Sequence, residues 1–199
     1  MATVEHRLLT TGELHEPKGI GTAPAGYDYR SNGSGSGAWE KISGFVQHED
    51  SRTTVGTPAL NIATGVRTKY VNNSGSRTVS NLPSDATSGL WDTTTNKHTP
   101  IAVNDVYDLR ISFTAQNYAG TDPYITCQLD IGGSLGVIYE LLIPLVKGGV
   151  VQACAFAFPV FTGTTYIANG GEIYLTYTGT GSCDIFDTRI MINRVSRLL

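Results

Sequence analysis

Hydrophobic and polar positions alternate most regularly in the second half of the chain. Tyr107, Leu109, Ile111, Phe113 and Ala115 alternate with Asp108, Arg110, Ser112 and Thr114. A period of two places every second side chain on one face of a half-buried strand. Ile125, Cys127, Leu129 and Ile131 repeat the pattern after Gly120-Thr121-Asp122-Pro123, which reads as a turn between two antiparallel neighbours. Gly136 to Val146 is almost continuously apolar, interrupted by Glu140 and Pro144, and ends at Lys147-Gly148-Gly149. From Val150 to Phe161, Cys154, Phe156, Phe158 and Val160 share one face and Ala153, Ala155 and Ala157 the other. Large residues on one face belong to a core; only small ones on the other imply that this face is covered as well, as at a subunit interface.

Ile173, Leu175 and Tyr177 alternate after Asn169-Gly170-Gly171, and Thr178-Gly179-Thr180-Gly181 closes that strand. A last strand from Asp184 to Val195 puts Phe186, Ile190 and Ile192 on one face. Earlier the pattern weakens. Ile42 to His48 and Val66 to Val71 read as strands, with turns at Asn72-Asn73-Ser74-Gly75 and Leu82-Pro83-Ser84-Asp85. Asp85 to Pro100 has no period and reads as a long loop of the kind that serves function or subunit contact. About eight strands, separated by turns every 8 to 15 residues or so and with no helix among them, predict an all-β fold. The simplest arrangement is an antiparallel β-sandwich of jelly-roll form, preceded by an extended N-terminal arm.

The arm occupies residues 1–41 and the body residues 42–199. Val4, Leu8 and Leu9 fit one face of a short helix or an extended segment equally well. Pro17 disfavours helix at Glu16, and Gly19 and Gly21 disfavour it afterwards. Leu14-His15-Glu16-Pro17-Lys18-Gly19 therefore reads as extended, with backbone groups able to pair with the edge strand of another chain. Pro24, Gly26, Tyr27 and Tyr29, then Asn32-Gly33-Ser34-Gly35-Ser36-Gly37 and Trp39, read as a small hairpin that needs a partner. Tyr27, Tyr29 and Trp39 suit either sugar stacking or anchoring in a protein interface. The interface is favoured, because the arm alone cannot shelter them.

The composition fits one all-β body with an appendage. Of 199 residues, 40% are hydrophobic, enough for a core, while 23 glycines and a charged fraction of 16% depart from a helical protein. Low charge suits a surface held largely against other subunits. The formal net charge of -3 comes without clustered Lys or Arg, so nothing points to nucleic acid or an anionic membrane as partner. No apolar run approaches the ~20 residues of a spanning helix. Met1 to His6 lacks a basic-then-apolar export signal, so synthesis in a cytosol without export by a cleaved signal is expected.

No catalytic residue, metal site or cofactor is expected. Cys127, Cys154 and Cys183 are odd in number and widely spaced, and read as small buried hydrophobes. His15-Glu16 and His48-Glu49-Asp50 set His beside carboxylates, but without zinc-site spacing; the second reads as a solvated turn. Gly33-Ser34-Gly35-Ser36-Gly37 lacks the following helix of a nucleophile elbow. Gly132-Gly133-Ser134 lacks the ending of a phosphate loop. Asp105, Asp108, Asp130 and Glu140 lie beside apolar positions and are expected to point outward.

Leu14-His15-Glu16-Pro17-Lys18-Gly19, with Asn32-Gly33-Ser34-Gly35-Ser36-Gly37-Ala38-Trp39-Glu40-Lys41-Ile42, resembles the N-terminal region of tailed-bacteriophage virion proteins, notably capsid decoration (cement) proteins and head fibres. Asp28 and Arg30 beside Tyr29 depart from that pattern. Phe156-Ala157-Phe158-Pro159-Val160-Phe161, Ala168-Asn169-Gly170-Gly171-Glu172-Ile173-Tyr174-Leu175 and the closing Ile192-Asn193-Arg194-Val195 resemble trimeric jelly rolls of the tumour-necrosis-factor and C1q type. The resemblance implies a homotrimeric, non-enzymatic protein on the outer surface of a phage capsid. Its arm would bind the major capsid protein or another virion protein through Leu14, His15, Glu16, Pro17, Lys18, Gly19, Tyr27, Tyr29 and Trp39. The alternative is a receptor-binding tip of a head or tail fibre, using the Asp85 to Pro100 loop and the loop at Gly163-Thr164-Thr165 to touch a host glycan or protein.

Overall fold

The structure, a computed structural model, describes residues 23–31, 37–86 and 89–197. The chain falls into two compact units, Met1–Lys41 and Ile42–Leu199.

In the first unit the Tyr27 N–H donates to the Pro24 carbonyl at 3.3 Å, closing a turn in which Gly26 takes φ +82°. Strand β1 (Asp28–Ser31) then pairs antiparallel with β2 (Gly37–Glu40), setting Tyr29 opposite Trp39. Gly37 admits no side chain, because a Cβ would collide with the Arg30 carbonyl and the Tyr29 ring. The hairpin expected from the Tyr/Gly/Ser pattern is present.

The second unit is nearly all β, and its antiparallel sheets curl into a sandwich of jelly-roll type. In chain order its strands are β3 (Gly44–Glu49), β4 (Leu60–Ala63), β5 (Arg67–Lys69), β6 (Arg77–Asn81), β7 (Trp91–Asp92), β8 (Lys97–His98), β9 (Asp105–Asp130), β10 (Val137–Pro144), β11 (Val151–Phe161) and β12 (Gly171–Arg197). A short helix, α1 (Thr164–Asn169), falls where no helix was expected. It is a turn and a half long, too short to show a period.

Two strands of unusual length carry the body. β9 and β12 pair with each other from Asp105↔Arg197 to Asp130↔Glu172. β11 and β10 each take one half of the other side of β9. β3, with β6 beyond it, pairs with one half of β12, and β4, β5 and β8 pair along the rest.

This corrects the expected hairpin turn at Gly120-Thr121-Asp122-Pro123. The runs on either side of it do not pair with one another; they are two halves of β9, both lying against β12. Thr178-Gly179-Thr180-Gly181 likewise does not end a strand. The ladder shifts register between Thr178/Thr180 and Thr180/Cys183, with Asp122 at φ +52° and Gly181 at φ +79°. A bulge recruits the same glycines and left-handed residues as a turn, so the two look alike in sequence.

A further shift lies between Phe186 and Arg189, where Asp187 takes φ +51°. Before it the odd positions Tyr177, Cys183 and Ile185 are buried; after it the even positions Ile190, Ile192 and Arg194 are. One inserted residue reverses which side chains face inward. Tyr70 and Asn72 fix the insertion, the Tyr70 hydroxyl donating to the Arg189 carbonyl at 2.8 Å and the Asn72 amide to the Thr188 carbonyl at 2.7 Å.

The core is built from the inner faces of β9, β11 and β12, as the alternation anticipated. Leu109, Ile125, Phe158 and Leu175 are fully buried, each contributing ~1.5–3 kcal/mol relative to exposure. The three cysteines are free and buried. The outer alanine face of β11, expected to be covered, is open in the single chain: Ala153, Ala155 and Ala157 are exposed. Asp85 to Pro100 is not a plain loop. It folds back as the β7–β8 pair and buries Leu90, Trp91 and His98.

Candidate functional site

Leu14, His15, Glu16, Pro17, Lys18 and Gly19 lie outside the described residues. Tyr27, Tyr29 and Trp39 lie within them. Tyr29 and Trp39 meet across the β1–β2 ladder, ring centroids 5.4 Å apart and planes at 64°, an edge-to-face pair. Such a pair contributes about 0.5–1.5 kcal/mol beyond burial. All three rings are only partly buried, and no described residue from 23 to 41 is buried. A two-stranded hairpin is marginal in water by itself, and this one leaves part of its aromatic area exposed.

In the body, His48-Glu49-Asp50 is not a solvated turn, because His48 and Glu49 belong to β3. His48 is 7% exposed and its Nδ1 bonds the Thr78 and Ser74 hydroxyls at 3.2 and 2.7 Å; burial pushes its pKa down. Asp50 is 1% exposed and receives the Arg52 guanidinium and the Asn73 N–H, the latter at 2.8 Å. Burial works to raise its carboxyl, and the bonds from Arg52 and Asn73 bring it below the usual range. This arrangement clasps a loop and leaves no base exposed. Asp105 also departs from expectation, being fully buried rather than outward.

A polar recess of about 330 Å³ lies between β8, the end of β9 and α1, lined by Lys97, Asp130, Gly132, Asn169 and Glu172 among others. Glu172 accepts from Lys69 at 2.8 Å, from the Tyr174 hydroxyl at 2.5 Å and pairs with Lys97 at 3.2 Å. Burial raises this carboxyl, but the bonds from Lys69, Tyr174 and Lys97 outweigh it and bring it down to about 2. Arg67 pairs with Asp130 at 2.6 Å and lies 3.6 Å over the Tyr174 ring. Every carboxylate of this recess has a cation, which suits polar recognition better than proton transfer. Its residues come from separate stretches; Asp130, Gly132 and the Ala168 to Leu175 run stand out in the sequence for other reasons, and only the fold brings them together with Lys69 and Lys97.

His98 is enclosed by Tyr107 and Tyr166, with ring centroids at 4.7 and 5.3 Å, and its Nδ1 lies 2.7 Å from the Tyr166 hydroxyl. Burial pushes its pKa down to about 3, leaving a neutral core histidine. Among the described residues no three His, Cys, Asp or Glu side chains gather to hold a metal ion, and no helix is long and apolar enough to cross a membrane.

No protein-family model and no curated protein matches the chain. Solved structures that resemble it include the Eiger TNF from S. frugiperda, with a TM-score of 0.45 and 11% identity over 79% of this chain and 94% of that one. The PRD1 vertex protein P5 aligns with a TM-score of 0.39 and 10% identity over 89% and 85%. A structure of infectious bursal disease virus, Gx strain, aligns with a TM-score of 0.29 and 9% identity over 79% and 33%. Two of the three are thus viral, one a vertex protein by name. At these values the likeness carries no argument about function.

Proposed function

We propose that this chain is a structural virion protein, a homotrimeric decoration (cement) protein on the outer surface of a phage capsid. Residues 1–41 form the capsid-binding arm and residues 42–199 the jelly roll it tethers. The supporting observation is the β1–β2 pair, which sets Tyr29 against Trp39 with no buried residue among those described from 23 to 41. Aromatic rings so displayed serve as anchors. Leu14, His15, Glu16, Pro17, Lys18 and Gly19, whose sequence suits strand pairing, would add contacts to the major capsid protein or another virion protein. Three arms on one trimer act together, since after the first attaches the others bind intramolecularly, and modest contacts sum to firm attachment. The role is mechanical and not enzymatic.

The test is deletion of residues 1–41. A folded trimer that no longer sediments with capsids is the expected result; retained capsid binding sinks the reading.

A second reading has one observation in its favour. The polar recess joins Lys97, from the Asp85 to Pro100 segment, to Ala168, Asn169 and Gly170 just beyond the Gly163 loop, the two segments a receptor-binding tip would use for a host glycan or protein. Copy number separates the readings: a cement protein covers the shell in many copies, a tip occurs in few.

A further inference from the structure

Nine of the thirteen large hydrophobic residues exposed among the described residues lie between Leu135 and Phe161. They run along one margin of the body, formed by β10, the turn after it and β11. Among the described residues β10 pairs with β9 alone, and it is open on both faces: Tyr139 and Leu141, opposite Leu129 and Cys127 on the core side, are 36% and 39% exposed, and Leu142 on the outer side is 56% exposed. A long apolar edge strand left bare is a site of association.

Beside this ridge lies its counterpart. The outer face of β11 carries Ala153, Ala155 and Ala157, and the last two, with Arg110 and Ser112 of β9 and Arg189 and Met191 of β12, line a groove of about 470 Å³. A second recess of about 250 Å³ extends it past Ala153 towards Thr114 and Asp187. The side chains on β11 are small where the groove needs depth, and Val151 and Phe161, 50% and 56% exposed, stand at the ends.

We infer that copies of this chain associate by seating the Leu135–Val150 ridge of one in the alanine-floored groove of the next. The inference rests on the homotrimer reading and adds the surface by which it would form. Two quantities favour a second copy as occupant. The seven exposed apolar side chains of the ridge, Leu135 to Val150, leave on the order of 550 Å² in water, and with the exposed Glu140, Pro144 and Lys147 beside them approach the ~800 Å² that one partner contributes to a standard stable interface. Charge is the other. Glu140 and Lys147 are the only charged residues from 135 to 161, and each has a partner within the chain, Glu140 accepting from the Gln128 amide at 2.6 Å and Lys147 pairing with Asp122 at 2.9 Å. In the groove, Arg110 and Arg189 are likewise paired within the chain, with Asp108 at 2.7 Å and Asp187 at 3.2 Å, so the surface favours the apolar ridge of another copy over a strongly charged partner. Ridge and groove are different patches, so the contact is head-to-tail, the class of contact from which closed rings such as a trimer are built.

Sedimentation velocity of the full chain over a range of concentrations tests this, with Leu142→Arg on the ridge, Ala157→Arg in the groove and Val66→Arg as an exposed control elsewhere. The wild type and Val66→Arg should sediment as oligomers, and each of the other two as a folded monomer with an unchanged circular-dichroism spectrum. A wild-type oligomer that both substitutions leave intact overturns the assigned surface while the homotrimer stands; the same holds if they abolish capsid attachment at unchanged mass. A wild type monomeric at every concentration overturns both. Should the arginine variants not fold, hydrogen exchange on the wild type decides. Protection of residues 137–144 that disappears on dilution supports the contact, and free exchange of β10 in the assembled protein refutes it.

Discussion

The Arg194 guanidinium and the Asp105 carboxylate lie 3.2 Å apart, and neither side chain is reached by water. Asp105 also accepts from the Tyr107 hydroxyl at 3.0 Å, and Arg194 reaches the Asp85 carboxylate with its Nη2 at 3.0 Å. The pair joins the start of β9 to the end of β12 and draws the 83–86 turn down over both. Replacing Arg194 by Met strands a carboxylate in the interior and should cost about 3–5 kcal/mol. Adding Asp105→Asn should recover part of that loss. Urea denaturation of the two variants measures it.

His98 makes stability depend on pH. Its folded-state pKa of about 3 lies below the 6.5 of an exposed imidazole, so the unfolded chain takes up the proton first. The stability it supports is complete above 6.5 and drains away as pH falls towards 3. His48 is lowered by burial as well and acts in the same direction. His98→Gln, which cannot titrate, should flatten the dependence of the unfolding midpoint between pH 6.5 and 4, read by tryptophan fluorescence.

Neighbouring positions of β11 should respond in opposite ways. Phe158 is fully buried and packs against Tyr139 at a tilt, with ring centroids 5.9 Å apart; Phe158→Ala should cost about 3–5 kcal/mol. Ala157, one residue away on the open face, should tolerate serine within about 0.5 kcal/mol. Thermal unfolding of both variants makes the comparison.

At the β12 bulge, Asp187 occupies the left-handed region with its N–H bonded to the Arg52 carbonyl at 2.7 Å. Asp187→Gly should keep the stability within about 1 kcal/mol, while Asp187→Val should lose more than that, because a β-branched residue resists positive φ. The chemical-denaturation midpoint reports both changes.

The alternation in β11 and at either end of β9 and β12 was readable because burial on one face imposes a period of two. What escaped notice was anything decided by a distant partner. Asp105 looks like a surface carboxylate until Arg194 arrives from the far end of the chain. Gly120 to Pro123 and Thr178 to Gly181 look like turns because turns and bulges demand the same backbone. Trp91 and His98 sit in strands of two residues each, too short for any period. The Tyr29–Trp39 pair was legible as aromatics flanking a Gly/Ser turn, and the register that makes them meet came from the ladder.

The pairing of β12 also dictates an order of events during synthesis. β3, β4, β5, β8 and β9 all find their neighbour in a strand translated after every one of them. On the ribosome these segments wait with open edges, since no sheet of the body can be completed from what has already emerged. Folding is therefore late and collective, and a chain truncated before Gly171 should be captured by chaperones or aggregate rather than persist as a partial domain.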